Sequence, residues 1–370
     1  MGNRISRSTR NRIGAIKVAA LTRGTDIPSS RFRIRQYRET LAKQGITLQE
    51  HCPFISQMVR LPGFLGRLRR RQLFPWLIIQ TIINILLRIP AFIGSHCSTA
   101  TLINRSVVPG LEETVFFLRR PRILDVDDAI WLTDPRGISA SVRLAKRVDA
   151  VIAGNDYLAA WYRQYNDNVF VLPTAVDTEK YVPKDELRQT PDSWCTIGWI
   201  GTDGNFEHLE IAKNALIDII KTRPNCRVLI VSNRRPDGWN FDEVRFIFRY
   251  WSEETEIRDL QDMDIGIMPL IDNEWTRGKC SFKMLQYLAV GIPVVVSTVG
   301  MNNEVLRGGD IGYGASNEED WQNAISLLCD DEDSRKQKGA HGRVLVESSY
   351  SVNAVGANLS SILLELTHND

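Results

Sequence analysis

The chain alternates short apolar runs with longer amphipathic stretches, and it does so in two successive series. The first opens with an apolar strand over residues 16–22 (IKVAALT) that ends in Arg23-Gly24, and a helical pattern over 32–44 follows. Further strands are predicted at 122–126, 150–153 and 169–172, with helices over 138–147 and 157–165 between them. The pattern lapses into a polar, Pro-containing stretch over 173–191 and then restarts. The second series predicts strands at 196–200, 227–231, 244–248, 265–268, 293–297 and 311–313. Helices fall over 207–222, 253–262 and 281–289, and the chain from Trp321 onward reads mostly helical. Short apolar runs spaced by helices predict parallel sheets covered on both faces. The expected fold class is α/β, with two Rossmann-like doubly wound domains facing a cleft. Such sheets hold ligands beyond the carboxyl ends of their strands.

The length of 370 residues suits two domains, each large enough to bury a core. The divisions expected are a first domain over 1–176, a linker over 177–194 and a second domain over 195–345. Residues 346–370 form a helical segment that is a candidate to cross back to the first domain. Net charge is only +2, yet residues 1–176 hold 26 Lys and Arg against 12 Asp and Glu, and the remainder holds 20 against 32. A first half so basic is suited to an anionic partner such as a membrane surface, a phosphorylated lipid or nucleic acid. The six cysteines are scattered with no C-x-x-C pair, which argues against zinc and against a disulfide framework and points to a reducing cytosol. The N-terminus is basic and polar without an apolar h-region, so it does not read as a secretory signal.

At the first strand of the second series, Gly198, Gly201 and Gly204 have a spacing close to a dinucleotide fingerprint. That fingerprint needs an acidic residue closing the next strand, where this chain has Ser232 and Asn233. What remains is a tight turn at Gly201-Thr202 whose backbone can face a phosphate, or a turn that merely needs glycine.

The densest signal lies between Arg277 and Gly300: a polar loop (IDNEWTRGKC), a helix (SFKMLQYLAVG), a strand (IPVVVS) and a turn (TVGMNNEV). With WIGTDG upstream, this block resembles the donor domain of family 4 retaining glycosyltransferases of the GT-B fold. PSSRFRIRQY, ILDVDDAIW and VDAVIAGNDYLAAWY in the first half are similar to the acceptor domain of that group. The resemblance implies a nucleotide-sugar site with Gly24, Gly201, Thr202, Gly300, Met301 and Asn302 on the donor side. The family's Glu-x7-Glu pair falls on Gly278 and Gln286, so neither carboxylate is present. Gln286 can still bond ribose hydroxyls, and Glu274 is a substitute for the sugar contact. The family's usual Arg and Lys after the first donor-domain strand are also missing. Arg277, Lys279 and Lys283 are candidates to supply that charge, the last two sharing one face if the helix begins early. A solvated basic loop is the alternative.

Asp125-Val-Asp127-Asp128 follows a strand. A D-x-D pair can hold a metal in the other large glycosyltransferase fold, but the second α/β series favours the metal-free type, so no metal or other cofactor is expected. Asp127 and Asp128 then orient a sugar or acceptor hydroxyl, or else cap a helix. Arg31 and Arg33 are candidates for donor or acceptor phosphates, or for surface positions. Arg67, Arg69, Arg70 and Arg71 precede FPWLIIQTIINILLRIP, bounded by Pro75 and Pro90. This reads as a buried helix or as an interfacial membrane helix with a basic collar. Nucleic acid is disfavoured, because no recognition fold accompanies the arginines.

The reading that follows is a cytoplasmic transferase, peripheral on the inner face of the membrane. It would move a sugar from a nucleotide sugar to a saccharide or lipid-linked acceptor with retention. Asp127, Asp128, Lys279 and Glu274 are its candidate catalytic residues. The rival is an inactive GT-B-like protein that binds a nucleotide sugar or glycan beside an active partner.

Overall fold

The computed structural model describes residues 16–25, 27–53, 70–108, 110–133, 136–184, 194–240, 242 and 244–368, with backbone alone for 70–81. Two six-stranded sheets, parallel throughout, form the two domains. The first contains β1 (Ile16–Leu21), β2 (Ile46–His51), β3 (Ala100–Asn104), β4 (Arg122–Val126), β5 (Ala150–Ala153) and β6 (Val169–Val171), in the order β2-β1-β3-β4-β5-β6. The second contains β7 (Cys195–Ile200), β8 (Cys226–Ser232), β9 (Phe246–Tyr250), β10 (Ile265–Met268), β11 (Val294–Ser297) and β12 (Gly312–Ala315). Its order, β12-β11-β10-β7-β8-β9, starts at the centre, runs to one edge and then crosses to the other. The reversal between β7 and β10 opens a crevice at their carboxyl ends.

Strands β5, β7, β10 and β11 are buried along their whole lengths, which accounts for their unbroken apolar runs. Two strands of the first sheet were not expected. Edge strand β2 (ITLQEH) is half polar because alternate residues face solvent. Strand β3 is fully buried yet carries Thr101 and Asn104. Both find partners inside: Thr101 donates to the Arg119 carbonyl and Asn104 to Asp125. The helix expected over 32–44 is instead broken at Ile34 into Pro28–Arg33, a 3-10 turn and Arg38–Lys43, with Arg33 and Tyr37 turned inward.

Helix Arg70–His96 continues through Pro75 and Pro90. In its described part Arg88, Ala91 and Ser95 face the domain, while Ile82, Leu86, Ile89 and Ile93 form an exposed stripe. The buried-helix reading is thus corrected there, because Ile82, Leu86, Ile89 and Ile93 are exposed among the described residues. Arg67 and Arg69 lie outside the described residues. Among the described residues, no helix is long and apolar enough to cross a membrane.

The chain passes between domains twice, and the passages are bonded together. Val176 pairs with Ser351, its N–H donating to the Tyr350 carbonyl at 2.8 Å while Val352 N–H donates back at 3.1 Å. Arg343 fastens this crossing by donating to the carbonyls of Thr178, Tyr181 and Ala289. Helix Val352–His368 then packs Val355, Leu359 and Leu363 into the first domain's core, against Val18, Tyr37 and Leu41.

Candidate functional site

The carboxyl ends of the two sheets face each other, and loops from each touch across the cleft. Asn155 donates to the Lys279 carbonyl at 3.0 Å, and Cys280 Sγ donates to the Asp127 carbonyl at 3.1 Å. Phe32 and Phe282 pack with ring centroids 4.2 Å apart. Gly278 lies so close to Ala129 that a Cβ there would collide with it and press on Leu158. The position to which the resemblance assigns a glutamate is therefore packed closely against Ala129.

On the second domain's side the loop after β7 is held rigid. Asp203 and Asn233 exchange hydrogen bonds (2.8 and 3.0 Å), and Asn205 donates to Thr202 Oγ1 at 2.8 Å. Lys283 Nζ lies 4.7 Å above the Trp199 ring, in the space a Cβ on Gly201 would fill. Lys279 Nζ donates to Asn205 Oδ1 at 3.3 Å and sits 5.7 Å from the Trp275 ring centre. Neither lysine is in an ion pair among the described residues. Burial and the charge of Lys279 push the Lys283 ammonium down to about 7. Burial, then Lys279, then Lys283 also lower the pKa of His208, which keeps that buried ring neutral. Two ammonium groups held together against their repulsion form a site that an anion would relieve.

Their convergence does not come from a shared helical face. The helix begins only at Phe282, and Lys279 precedes it. Ser281, in left-handed conformation at φ 49°, turns the chain between the two lysines. Buried Asn302 accepts from Ser281 Oγ at 2.7 Å and donates to the Ser297 carbonyl at 3.1 Å, bracing that turn. Asn302 and Met301 are thus interior supports and not donor contacts, since neither has surface to offer. Gly300, at φ 51°, lies against the Arg277 backbone, where a Cβ would collide.

On the first domain's side Arg105 grips both candidate carboxylates. Its Nε donates to Asp127 at 2.6 Å and its terminal nitrogen to Asp128 at 2.5 Å. The Arg105 charge holds Asp127 low against its burial, whereas burial raises Asp128, with Asp127 adding to the rise. Asp128 also feels Lys279 across the cleft and is the more open of the two. Arg23 stands beside Arg105 and Asp127 with its buried Nε making no hydrogen bond. Neither Arg23 nor Arg105 is among the candidate site residues of the sequence, because only the fold brings the ends of β1 and β3 beside that of β4.

Several other expected residues are placed elsewhere. Arg33 is fully buried, donating to Asp125 (Nε 3.1 Å) and to the Leu172 carbonyl (2.7 Å), so no phosphate reaches it. Gln286 is buried, and its amide donates to Tyr181 Oη (3.1 Å) and Glu256 (2.8 Å), which removes it from ribose binding in this conformation. Arg277 pairs with Asp272 at 2.7 Å in an exposed position. Glu274, exposed on the short helix Glu274–Arg277, stands near Tyr157 of the first domain. Arg31 forms a cross-cleft pair with Glu253 at 3.1 Å. Gly24 is buried, and Thr202 is exposed at the loop. The structure therefore brings together Gly201, Thr202, Lys279 and Lys283 and sets Asp128 opposite them.

Residues 195–331 match the family model described as Glycosyl transferases group 1. Over these residues the chain is similar to a group 1 glycosyltransferase domain. Both lysines and the Gly201 turn lie inside the matched stretch. No curated protein matches the chain by sequence. Among solved structures the fold is similar to sucrose-phosphate synthase from Thermosynechococcus elongatus (13% identity, TM-score 0.69, covering 96% of this chain and 100% of that one). It is also similar to a glycosyltransferase from Rickettsia africae (13%, 0.68, 97% and 100%). A third is Anabaena HepE in complex with UDP and glucose (16%, 0.65, 95% and 100%). At these identities the likeness shows the fold: the two domains and their cleft are of the GT-B type.

Proposed function

We propose that this protein is a retaining glycosyltransferase of the family 4 type, moving a sugar from a nucleoside-diphosphate donor to a saccharide or lipid-linked acceptor. The observation that carries the reading is the pair of ammonium groups, Lys279 and Lys283, set over the Gly201 turn. A diphosphate placed there would relieve their repulsion and gain charge-assisted hydrogen bonds. HepE, of like fold, holds UDP and glucose, which supports a nucleotide sugar as the anion.

In such a transfer the bond from the sugar's anomeric carbon to the diphosphate breaks as the acceptor oxygen attacks from the same face. The acceptor's proton passes to the leaving phosphate oxygen. The protein's task is then to stabilise charge growing on the diphosphate, which fixed cations at the cleft do without reorganising. Asp128, facing Lys279 and held by Arg105, orients a hydroxyl of the donor sugar or the acceptor. Lysines fill the cationic role, so the proposal needs no metal in the cleft.

The enzyme would work on the cytoplasmic side, peripheral on an anionic membrane. Support comes from the exposed stripe Ile82, Leu86, Ile89 and Ile93, together with the basic first half of the chain. The test is incubation with a panel of labelled nucleotide sugars and acceptors, following release of nucleoside diphosphate. Binding without turnover on any acceptor would leave the binding-only protein, and Lys279→Ala with unchanged donor affinity would sink the phosphate assignment.

A further inference from the structure

At the opposite end of the second sheet, away from the cleft, three cysteines meet. Cys195 opens β7 and Cys226 opens β8, and the two are direct cross-strand partners, so their side chains leave the same face of the sheet. Cys329 reaches them from the last turn of helix Glu318–Asp330, which covers that face. The three sulfur atoms all lie within 4.8 Å of one another, and Cys195 Sγ to Cys329 Sγ is 3.8 Å. All three side chains are buried. Their scattered sequence positions argue against a metal, yet the fold gathers what the spacing separates.

We propose that Cys195, Cys226 and Cys329 bind one thiophilic closed-shell cation of the Zn2+ type as a structural staple of the second domain. Sulfurs bound to one tetrahedral zinc at about 2.3 Å stand roughly 3.8 Å apart, which is the separation already present between Cys195 and Cys329. A fourth ligand can enter as water. A cavity of about 500 Å3, lined by Asn225, Asp264, Cys195 and Cys329 among others, opens beside the cluster. Three thiolates and a divalent cation leave one negative charge in an apolar core. Arg335 offsets it, lying beside the cluster and donating to the Leu328 and Cys329 carbonyls at 2.6 and 3.0 Å. Binding releases the thiol protons to solvent, and no electron changes hands. The staple would join β7, β8 and the helix that packs on them, three elements remote in sequence.

The experiment uses the full chain, reduced and stripped with a chelator, then titrated with Co2+ as a spectroscopic probe and with Zn2+. The expected result is one Co2+ per chain, with sulfur-to-cobalt charge-transfer bands and intense visible bands of tetrahedral thiolate ligation. Zn2+ should displace it, raise the melting temperature and protect these three thiols from alkylation, while exposed Cys97 stays reactive. Cys329→Ser should abolish the bands and Cys97→Ser should keep them. If Cys329→Ser does not fold, the alkylation pattern of the natural chain with and without Zn2+ decides. The proposal is overturned by absence of thiolate bands, by equal alkylation in both states, or by oxidation to a Cys195–Cys329 disulfide without metal uptake. The site lies outside the cleft, so none of these outcomes bears on glycosyl transfer.

Discussion

Lys283 Nζ occupies the place at Gly201 where a side chain on that residue would have to go. The glycine thus makes room for the cation as well as for a turn. Gly201→Ala should displace the ammonium and weaken donor binding by roughly ten- to a hundred-fold, the range of a lost charge-assisted hydrogen bond. Calorimetric titration with the donor nucleotide checks this, and an unchanged affinity would refute it.

The same ammonium makes the protein sensitive to pH. Its pKa is lowered from 10.5 to about 7. Between those values the unfolded chain binds a proton that the folded chain lacks. The contribution of Lys283 to stability therefore rises with pH across that window. Urea unfolding at pH 7 and 9 should show this rise diminished in Lys283→Met. Donor binding should return the proton to Lys283, so the binding enthalpy near pH 8 should change with the ionisation enthalpy of the buffer.

Arg105 is expected to matter through the carboxylates it holds. Arg105→Ala leaves Asp127 and Asp128 side by side without their cation, raising the pKa of at least one. Turnover should fall at least tenfold and its acid limb should move to higher pH, with donor affinity much less affected. Asp128→Asn should lower turnover without altering the melting temperature by more than a degree or two.

Arg33 and Asp125 offer a contrast, since their pair is buried and presents no surface to a ligand. Arg33→Ala strands a buried carboxylate and should cost about 3–5 kcal/mol of stability. Donor affinity, measured where the variant is still folded, should stay within about twofold. A large selective loss of affinity would restore Arg33 to the binding site.

Membrane contact can be tested on the uncovered face of helix Arg70–His96. Leu86→Glu with Ile93→Glu should reduce co-sedimentation with anionic vesicles several-fold while leaving release of nucleoside diphosphate from a soluble acceptor unchanged. Equal sedimentation of variant and natural chain would remove the membrane from the account.

The chain's pattern made the second domain easier to read than the first. Strands β7, β10 and β11 are sealed on both faces and β8 nearly so, and their apolar runs stand out. Strand β3 did not, because buried Thr101 and Asn104 look like loop residues until their partners at Arg119 and Asp125 are known. The lysine pair could be noticed from its block, but its geometry depends on Ser281 and Asn302, and a left-handed serine leaves no mark in a sequence. Arg105 was invisible for a different reason: its meaning lies in two carboxylates more than twenty residues away.

Helix Val352–His368 supplies Val355, Leu359 and Leu363 to the first domain. On the ribosome this reverses the usual sequence of events, in which the first-made domain is the first finished. The first sheet waits for Val355, Leu359 and Leu363 before its core can close, whereas the 195–331 unit can already have formed. A nascent chain released early would carry a completed second domain and an N-terminal sheet with one wall of its interior open to solvent.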